Sequence, residues 1–324
     1  MSKLLVIGGG IFVGKAIAEY LVRQGHEVYA LNRGTHQTPD KCKQLVADRN
    51  DVEQLRHAIQ REKYDFVIDT SCMDGIQMRK ALAVLDNNYG QYIYISSSAV
   101  YKNTGMSPIC ETDEVGGAQV WGDYGVNKFD GEEVLRSQCK QPYTIFRPFY
   151  VYGENNNLNR EEYVFTRLLH NSPIILPAMG NNMIHFGYAD DLGLAVGNAI
   201  GNLDAFNQVY NIAGDEVVSM LQWINICAEV SGIEPEIYGI ETNLIEHDAR
   251  SWFPFRDISC VANISKVKKD LKIKQFIALK DGLKKCFQYM RPIIMAKTFE
   301  LSAVEKEMLE RMRHLLVTMS AKKI

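Results

Sequence analysis

The chain has 324 residues, 46% of them hydrophobic, which is enough for one large domain or two closely associated domains. It carries 36 basic and 39 acidic residues, so its formal net charge is −3. This balance argues against a protein with a general affinity for nucleic acid or for anionic membranes.

Cysteine usage and hydropathy narrow the class further. Seven cysteines are scattered along the chain, and no two of them have a CxxC spacing. This pattern predicts reduced thiols in a cytoplasmic protein and is not typical of a disulfide framework or a zinc site. No apolar run reaches the roughly 18 residues that span a bilayer, and the first residues predict a strand and a turn rather than a signal peptide.

Short apolar segments alternate with helical patterns in the first half of the chain. The predicted strands cover residues 4–7, 27–31, 44–47, 64–68, 92–95 and 143–146. Helical periodicity lies at 12–24 and at 51–62. Repeated βα units produce a parallel sheet with helices on both faces. We therefore expect an α/β protein with a Rossmann-type, doubly wound parallel sheet over residues 1–153.

The pattern is less regular beyond residue 153. The predicted elements are a helix at 161–169, a strand at 184–188, a helix at 190–199, a strand at 208–212 and a helix at 220–230. We interpret residues 154–297 mainly as a smaller substrate-binding domain. It is interleaved with the first domain, because the segment near 184–215 returns to that domain.

The tail at 298–324 has the pattern of a separate C-terminal helix. Ser302 and Glu305 match a capping box. Apolar residues then recur at three- and four-residue steps and form one stripe: Leu301, Val304, Met308, Met312, Leu315 and Met319. Two interpretations stay open, namely that the stripe packs on its own subunit or that it contacts a second subunit.

A glycine-rich turn separates the first predicted strand from the first predicted helix. Such a turn lets backbone N–H groups approach a pyrophosphate, which the helix dipole also attracts. The motif fits GGxxxxG better than GxGxxG, and Ile11 occupies the place where a central glycine is usual. The candidate cofactor-binding residues of the turn are Gly8, Gly9, Gly10, Ile11, Phe12, Val13 and Gly14.

The end of the second predicted strand bears on which dinucleotide binds. A carboxylate there bonds to the adenosine ribose, whereas an arginine accommodates a 2′-phosphate. This chain has Asn32 and Arg33 and no carboxylate, so the sequence slightly favours NADP and leaves NAD open. Asp48, after the third predicted strand, is placed to meet the adenine amino group.

Tyr124 and Lys128 are four residues apart, so both side chains share one face of a helix. A free phenol is a poor base at neutral pH, and a neighbouring ammonium favours the phenolate. Lys128 supplies that charge and can also bond to the nicotinamide ribose. The serines at 96–98 follow a predicted strand and supply a hydroxyl to fix a substrate oxygen. These residues predict a nicotinamide-dependent enzyme with Tyr124 as its acid/base.

With these motifs the chain resembles the extended short-chain dehydrogenase/reductase family, the NAD-dependent epimerase/dehydratases of nucleotide sugars. The resemblance runs from Lys3 to about Tyr289. The matching pieces are the glycine turn, Asp48, the segment at 96–101, the segment at 124–128, the segment at 147–153 and the segment at 188–191. The glycine turn and the segment at 32–34 are similar to an atypical branch with a GGxxFxG turn, which includes chloroplast stem-loop RNA-binding proteins.

The resemblance implies roles for individual residues. Ser97, Tyr124 and Lys128 match the family's catalytic residues, and Ser96, Tyr124 and Lys128 match cofactor contacts. The positions that match substrate contacts are Ser97, Ser98, Tyr150 and Arg256. His185 stands where the family has an aspartate, and we expect a structural role for it.

The same resemblance bears on the reaction. Family 4-epimerases oxidise C4 of a sugar, let the keto-sugar turn over and return the hydride to the other face. The 4,6-dehydratases carry Asp-Glu directly after the catalytic hydroxyl, where this chain has Ser98 and Ala99, which cannot perform acid/base elimination. The sequence therefore favours a nucleotide-sugar 4-epimerase.

Two alternatives remain at this stage. Arg33 makes an NADPH-dependent reductase of a sugar or another carbonyl compound the main competitor, and a non-catalytic protein that binds a dinucleotide and RNA is the other. Tyr150 and Ile184 depart from the family pattern, so the sugar and its nucleotide stay open. Many relatives dimerise through the helix of the YxxxK motif, and a homodimer here would use Phe129 and Val134.

Overall fold

The computed structural model of the protein describes residues 1–60, 62–244 and 246–321. Its strands in chain order are β1 (Lys3–Ile7), β2 (Glu27–Asn32), β3 (Lys43–Val46), β4 (Phe66–Asp69), β5 (Gln91–Ile95), β6 (Gly105–Ile109), β7 (Tyr143–Pro148), β8 (Val151–Tyr152), β9 (Ile174–Pro177), β10 (Met183–His185), β11 (Gly187–Tyr188), β12 (Gln208–Ile212), β13 (Val217–Ser219), β14 (Ile237–Ile240) and β15 (Cys260–Ala262).

The helices follow the same order. They are α1 (Phe12–Arg23), α2 (Val52–Ile59), α3 (Gly75–Leu85), α4 (Asp123–Gln138), α5 (Arg160–Leu169), α6 (Ala189–Ala199), α7 (Met220–Ser231), α8 (Ser265–Asp270), α9 (Leu279–Met295) and α10 (Ala303–Ala321).

A seven-stranded parallel sheet organises the first part of the molecule, in the order β12-β7-β5-β4-β1-β2-β3. The chain proceeds outward from β1 to β3 and then crosses to β4 on the other side of β1. This reversal creates a switch point beyond the carboxyl ends of β1 and β4, where doubly wound sheets bind ligands. The predicted Rossmann-type α/β fold is confirmed.

Both faces of the sheet are covered, which explains why its strands are apolar with little alternation. On one face, Ile17 of α1 and Leu192 of α6 pack against the sheet. On the other, Met78 of α3 and Val134 of α4 do the same. Val134 is 5% exposed, so the expectation that it faces outward toward a second subunit is wrong. The helix turns that residue toward its own core instead.

Several element boundaries differ from the sequence-based ones. The second helix ends at Ile59 rather than at 62, and β4 begins at Phe66 rather than at 64. The strand predicted at 184–188 is divided into β10 and β11, because β10 pairs with β15 while β11 pairs with β8. Helices α3 and α9 are additions to the predicted elements.

The chain divides into two compact units. The first unit contains residues 1–157, 183–217 and 259–282, and the second contains 158–182, 218–258 and 283–324. The segment near 184–215 lies within the first unit. Residues 259–282 also belong there, although the sequence-based division assigned them to the second domain.

Within the second unit, α10 packs on its own chain. Ser302 and Glu305 form the predicted capping box, with the Ser302 hydroxyl accepting from the Glu305 amide at 3.3 Å. Met308 is 2% exposed, which supports packing within the subunit for this part of the stripe. Leu315 and Met319 lie outside the residues whose side chains the structure describes. In the described part of the chain, no helix is both long and apolar enough to cross a membrane.

Candidate active site

The glycine turn after β1 is shaped by close backbone packing. Gly8 has φ +93° and donates its amide to the Leu31 carbonyl at 2.8 Å. A Cβ atom at Gly8 would lie 2.6 Å from the Thr70 hydroxyl, and one at Gly14 would lie 2.1 Å from the Gly8 carbonyl oxygen. Larger residues therefore do not fit, and the turn presents bare backbone at the switch point.

The remaining residues of the turn begin α1. Ile11 is 36% exposed at the N-cap, whereas Phe12 is 8% exposed and anchors the first helical turn. Phe12 has φ +44°, an uncommon conformation for a bulky side chain. Val13 is half-buried and packs against the core on the α1 face of the sheet.

Asn32, at the end of β2, closes one side of this turn. Its Oδ1 accepts from the Gly34 amide at 2.7 Å. Its Nδ2 is buried and has no hydrogen-bond partner among the residues that the structure describes. A Cβ atom at Gly10 would lie 2.9 Å from that Nδ2. An unsatisfied donor beside a glycine cradle fits a polar, phosphate-bearing ligand such as a dinucleotide.

Arg33 and Asp48 lie at the outer side of the same strand ends. The Arg33 side chain is exposed. Asp48 is half-buried, and its Oδ1 accepts from the backbone and side-chain amides of Asn50 at 2.8 and 3.2 Å. One oxygen of the Asp48 carboxylate thus shapes the turn into α2.

The first turn of α4, which carries Tyr124, packs against the turn that follows the serine run. A Cβ atom at Gly125 would lie 2.2 Å from the Ala99 carbonyl oxygen, so only glycine permits this approach. Ser98 to Val100 form a single 3₁₀ turn that follows β5, and Ser97 is its N-cap. Tyr124, in the first turn of α4, is 41% exposed, which leaves its phenol accessible to a substrate.

Lys128 lies one turn further along α4 and is 3% exposed. Its ammonium donates to the Cys72 carbonyl at 2.7 Å and to the Ile95 carbonyl at 2.8 Å. The Nζ atom also lies 4.5 Å from the centre of the Tyr94 ring. These contacts fix the charge at the carboxyl ends of β4 and β5, on the helix that carries Tyr124.

The three serines have different surroundings. Ser97 is half-buried, and its hydroxyl oxygen accepts from the Ala99 amide at 3.2 Å, which leaves the hydroxyl proton for another acceptor. Ser96 is 4% exposed, with its amide bonded to the Phe146 carbonyl and its hydroxyl donating to Glu132. Ser98 is 9% exposed and bonds to the Cys260 thiol. Ser97 is therefore the most accessible hydroxyl of the run.

Sequence reasoning missed the residues that hold Lys128. Tyr94 donates its hydroxyl to the Cys72 carbonyl at 3.2 Å, next to the bond from the ammonium. Burial raises the pKa of the Cys72 thiol to about 12, so that thiol stays neutral beside the lysine. The position of residue 72, just after a predicted strand end, was the signal that could have identified it.

A buried ionic network lies further along the same helix. Glu132 of α4 is 0% exposed and accepts from Arg147 in a bidentate pair at 2.9 and 2.6 Å. The Ser96 hydroxyl donates to the same carboxylate at 2.6 Å. Arg147 lies over the Tyr101 ring, 4.8 Å from its centre. The network joins β5, β7 and α4 directly behind the serine run.

Tyr150 belongs to an aromatic cluster of the first unit. It is 7% exposed, and its ring centre lies 6.1 Å from that of Trp121 and 6.3 Å from that of Phe186. Trp121 stands just before α4, which brings this cluster to the loop that precedes Tyr124.

His185 and Arg256 differ in what their positions indicate. The His185 ring donates from Nε2 to the Gly214 carbonyl at 2.8 Å and accepts at Nδ1 from the Ala262 amide at 3.2 Å. Burial lowers the pKa of His185, which matches this neutral tautomer and the expected structural role. Arg256 lies in the second unit and is half-buried.

Comparison with known proteins gives a family. A family model described as NAD dependent epimerase/dehydratase family matches residues 4–213. The chloroplast stem-loop binding protein of 41 kDa b from Arabidopsis thaliana is 31% identical over 298 residues, with 87% of this chain and 77% of that protein covered. A UDP-glucose 4-epimerase from Corynebacterium glutamicum is 24% identical over 276 residues, covering 71% of this chain and 80% of that protein.

A solved structure extends the likeness. The UDP-glucuronic acid 4-epimerase from Bacillus cereus, in complex with UDP-glucuronic acid and NAD, is similar with a TM-score of 0.74 and 20% identity, covering 90% of this chain and 99% of that one. At this identity the likeness shows the fold. The family model covers more than half of the chain. The chain therefore belongs to the NAD dependent epimerase/dehydratase family.

Proposed function

We propose that this protein is an NAD(P)-dependent 4-epimerase of a nucleotide sugar. The observation that carries the proposal is the combination of an exposed phenol at Tyr124 with an ammonium at Lys128 that two backbone carbonyls hold in place. The UDP-sugar 4-epimerases among the similar proteins support this choice of substrate class.

The residues of the glycine turn and Asn32 would hold the dinucleotide. The backbone of Gly8 to Gly10 would receive the pyrophosphate at the start of α1, and the unsatisfied Asn32 amide would supply a further donor. The exposed side chain of Arg33, just after β2, suits a 2′-phosphate and therefore supports NADP rather than NAD as the cofactor. When bound, the nicotinamide supplies an acceptor and donor of hydride.

The proton chemistry belongs to the chain itself. Tyr124 takes the proton of the C4 hydroxyl and later returns it, and the ammonium of Lys128 favours the phenolate that this requires. Ser97 donates its free hydroxyl proton to the same substrate oxygen and holds it in place. Together these groups would let one sugar oxygen lose and regain a proton.

The surroundings of Ser97 also argue against an elimination reaction. A 4,6-dehydratase needs carboxylic acids directly after the catalytic hydroxyl, and this chain has Ser98 and Ala99 there. Ser98 is buried on Cys260, whose thiol has its pKa raised by burial to about 12. Neither the Ser98 hydroxyl nor the Cys260 thiol is an acid near neutral pH.

Mass spectrometry of the ligand that co-purifies with the native protein tests the cofactor assignment. Bound NAD(H) or NADP(H), followed by inversion at C4 of a UDP-hexose without net consumption of added NADPH, is the expected result. Stoichiometric consumption of NADPH with a keto-sugar or another carbonyl compound would overturn the epimerase in favour of a reductase.

An RNA-binding role is the second candidate, because the Arabidopsis relative is named a stem-loop binding protein. Three exposed lysines lie close together in the sequence at the end of α8 and just beyond it, namely Lys269, Lys272 and Lys274. Such a cluster can neutralise phosphates despite the negative net charge. A shift of a stem-loop RNA that survives Tyr124→Phe and is lost when these lysines become glutamine would support this role; no shift at low salt would exclude it.

A further inference from the structure

Glu132 and Lys128 are both buried on α4, one helical turn apart, at 0% and 3% exposure. Opposite charges with this spacing ordinarily pair on a helix. In the described part of the chain, the two side chains do not pair with each other. Lys128 bonds to the carbonyls of Cys72 and Ile95, and Glu132 bonds elsewhere. The unusual feature is a carboxylate within a turn of a buried ammonium that does not neutralise it.

Other groups occupy both oxygens of the Glu132 carboxylate. Ser96 and the Nε atom of Arg147 donate to Oε1 at 2.6 and 2.9 Å. A terminal nitrogen of Arg147 donates to Oε2 at 2.6 Å, and Arg136 reaches the same oxygen at 3.2 Å. Bidentate arginine pairs fix the direction of a carboxylate as well as its position.

Arg147 is itself held rigidly. It is 2% exposed and lies over the ring of Tyr101, whose hydroxyl donates to the Asn211 side chain at 2.6 Å. A planar guanidinium that stacks on an aromatic ring and binds a carboxylate by two bonds has little freedom to turn. The Glu132 carboxylate is thus bound on both oxygens by Arg147 of β7, and it forms no ion pair with the ammonium among the described residues.

We propose that Arg147 and Ser96 are positioning residues that hold Glu132 away from Lys128 and so keep the lysine charge available to Tyr124. This inference rests on the proposed role of Tyr124 as the acid/base. A carboxylate that paired with the ammonium would cancel its charge and favour the neutral phenol. Neither residue touches the reacting atoms; both act through Lys128.

Tyrosine NMR on protein labelled with ¹³C at Cζ measures the effect directly. The Tyr124 signal is assigned by its loss in Tyr124→Phe, and its pH midpoint is followed in the holoprotein. In Arg147→Met, Glu132 loses its bidentate partner and turns toward Lys128, so the Tyr124 midpoint should lie above the wild-type value. In the double variant Arg147→Met/Glu132→Gln, no carboxylate remains to turn, and the midpoint returns to the wild-type value.

Two further variants keep the test decisive. Ser96→Ala removes one bond to the carboxylate at little cost in folding, and it should raise the Tyr124 midpoint by a smaller amount. It takes the place of Arg147→Met in the test if that variant does not fold. Arg167→Met breaks a buried arginine–glutamate pair of the second unit and serves as a matched control, since Tyr124 should titrate there as in the wild type.

An unchanged Tyr124 midpoint in folded Arg147→Met or in Ser96→Ala would overturn the proposal, and so would a raised midpoint that the double variant fails to restore. Because the titration needs no sugar substrate, these outcomes are independent of which reaction the protein catalyses. A wild-type protein that shows the expected titrations but no epimerisation would instead remove the proposed function.

Discussion

Lys128 of the first unit and Arg167 of the second are both buried cations, at 3% and 5% exposure, but their partners differ. Arg167 pairs with the buried carboxylate of Glu305 and stacks on the Tyr163 ring. Lys128 has two backbone carbonyls and the face of the Tyr94 ring. The charge of Arg167 is therefore paired with a carboxylate, and the charge of Lys128 is not.

The other buried cations among the described residues are paired with carboxylates, as Arg167 is. Arg49 binds Asp69 and Arg147 binds Glu132, each in a bidentate pair. A buried ion pair fixes local geometry, and breaking it is costly because it leaves an uncompensated charge. A buried ammonium held by dipoles keeps its field for a neighbouring group. The contrast supports the proposed catalytic role of Lys128, whereas the pairs of Arg49 and Arg167 fix local geometry.

The largest expected effect is on turnover, and it follows from removing the Tyr124 phenol beside which Lys128 is proposed to act. Tyr124→Phe should lower turnover by about 10³-fold, the scale of general acid–base catalysis. Dinucleotide binding and thermal stability should stay unchanged, since the tyrosine is 41% exposed. Steady-state kinetics and cofactor titration measure the two quantities, and turnover close to wild type would remove Tyr124 from the mechanism.

Breaking the neutralised pair should affect stability rather than chemistry. Arg167→Met leaves the Glu305 carboxylate buried without its partner, which should lower the free energy of unfolding by about 3–5 kcal/mol. The double variant Arg167→Met/Glu305→Leu should recover most of that loss. Urea unfolding checks both values, and equal losses in the single and double variants would contradict the buried-pair account.

For Lys128→Met we expect a large loss of turnover and a smaller loss of stability. The substitution removes one donor from each of two carbonyls but leaves no orphan charge, so stability should fall by about 1–3 kcal/mol, less than for Arg167→Met. Turnover should fall by about 10²-fold because the phenolate loses its supporting charge. Measuring unfolding and kinetics on the same preparation tests the comparison; a larger stability loss than in Arg167→Met would reverse it.

The smallest effect concerns pH. Burial raises the pKa of Glu305, but the bonds from Arg167 and Ser302 outweigh it, so the pKa lies below its ordinary value of 4.5. Its contribution to stability is therefore present above about pH 4.5 and is lost as the pH falls through the lowered value. The stability difference between wild type and Glu305→Gln, measured by urea unfolding, should shrink below that pH. A difference that grows on acidification would give the wrong sign.

The sequence predicted the sheet and the order of the site residues, because both depend on local patterns. Short apolar strands and the GGxxxxG turn are visible without tertiary contacts. Helix α3 was not predicted, since Gly75 stands at its start, and α9 was not predicted, since it contains Pro292. Both residues ordinarily read as interruptions of a helix.

The surroundings of the site could not be predicted to the same depth. The spacing of Tyr124 and Lys128 places them on one face, but nothing local shows that Lys128 reaches the carbonyls of residues 72 and 95. Likewise Glu132 shares the spacing of a helical ion pair with Lys128, and only the approach of β7 gives it Arg147 instead. Long-range packing decides which charges meet.

The fate of a C4-bound hydrogen tests the central claim most directly. The native protein is incubated with a panel of UDP-hexoses deuterated at C4, and inverted sugars are examined by NMR and mass spectrometry. The account predicts that the deuterium is retained at C4 of the inverted product, because only the hydroxyl proton passes through Tyr124 and the hydride leaves and returns. Deuterium found in the external cofactor pool together with a keto product, or an absence of inversion with every sugar, would contradict it.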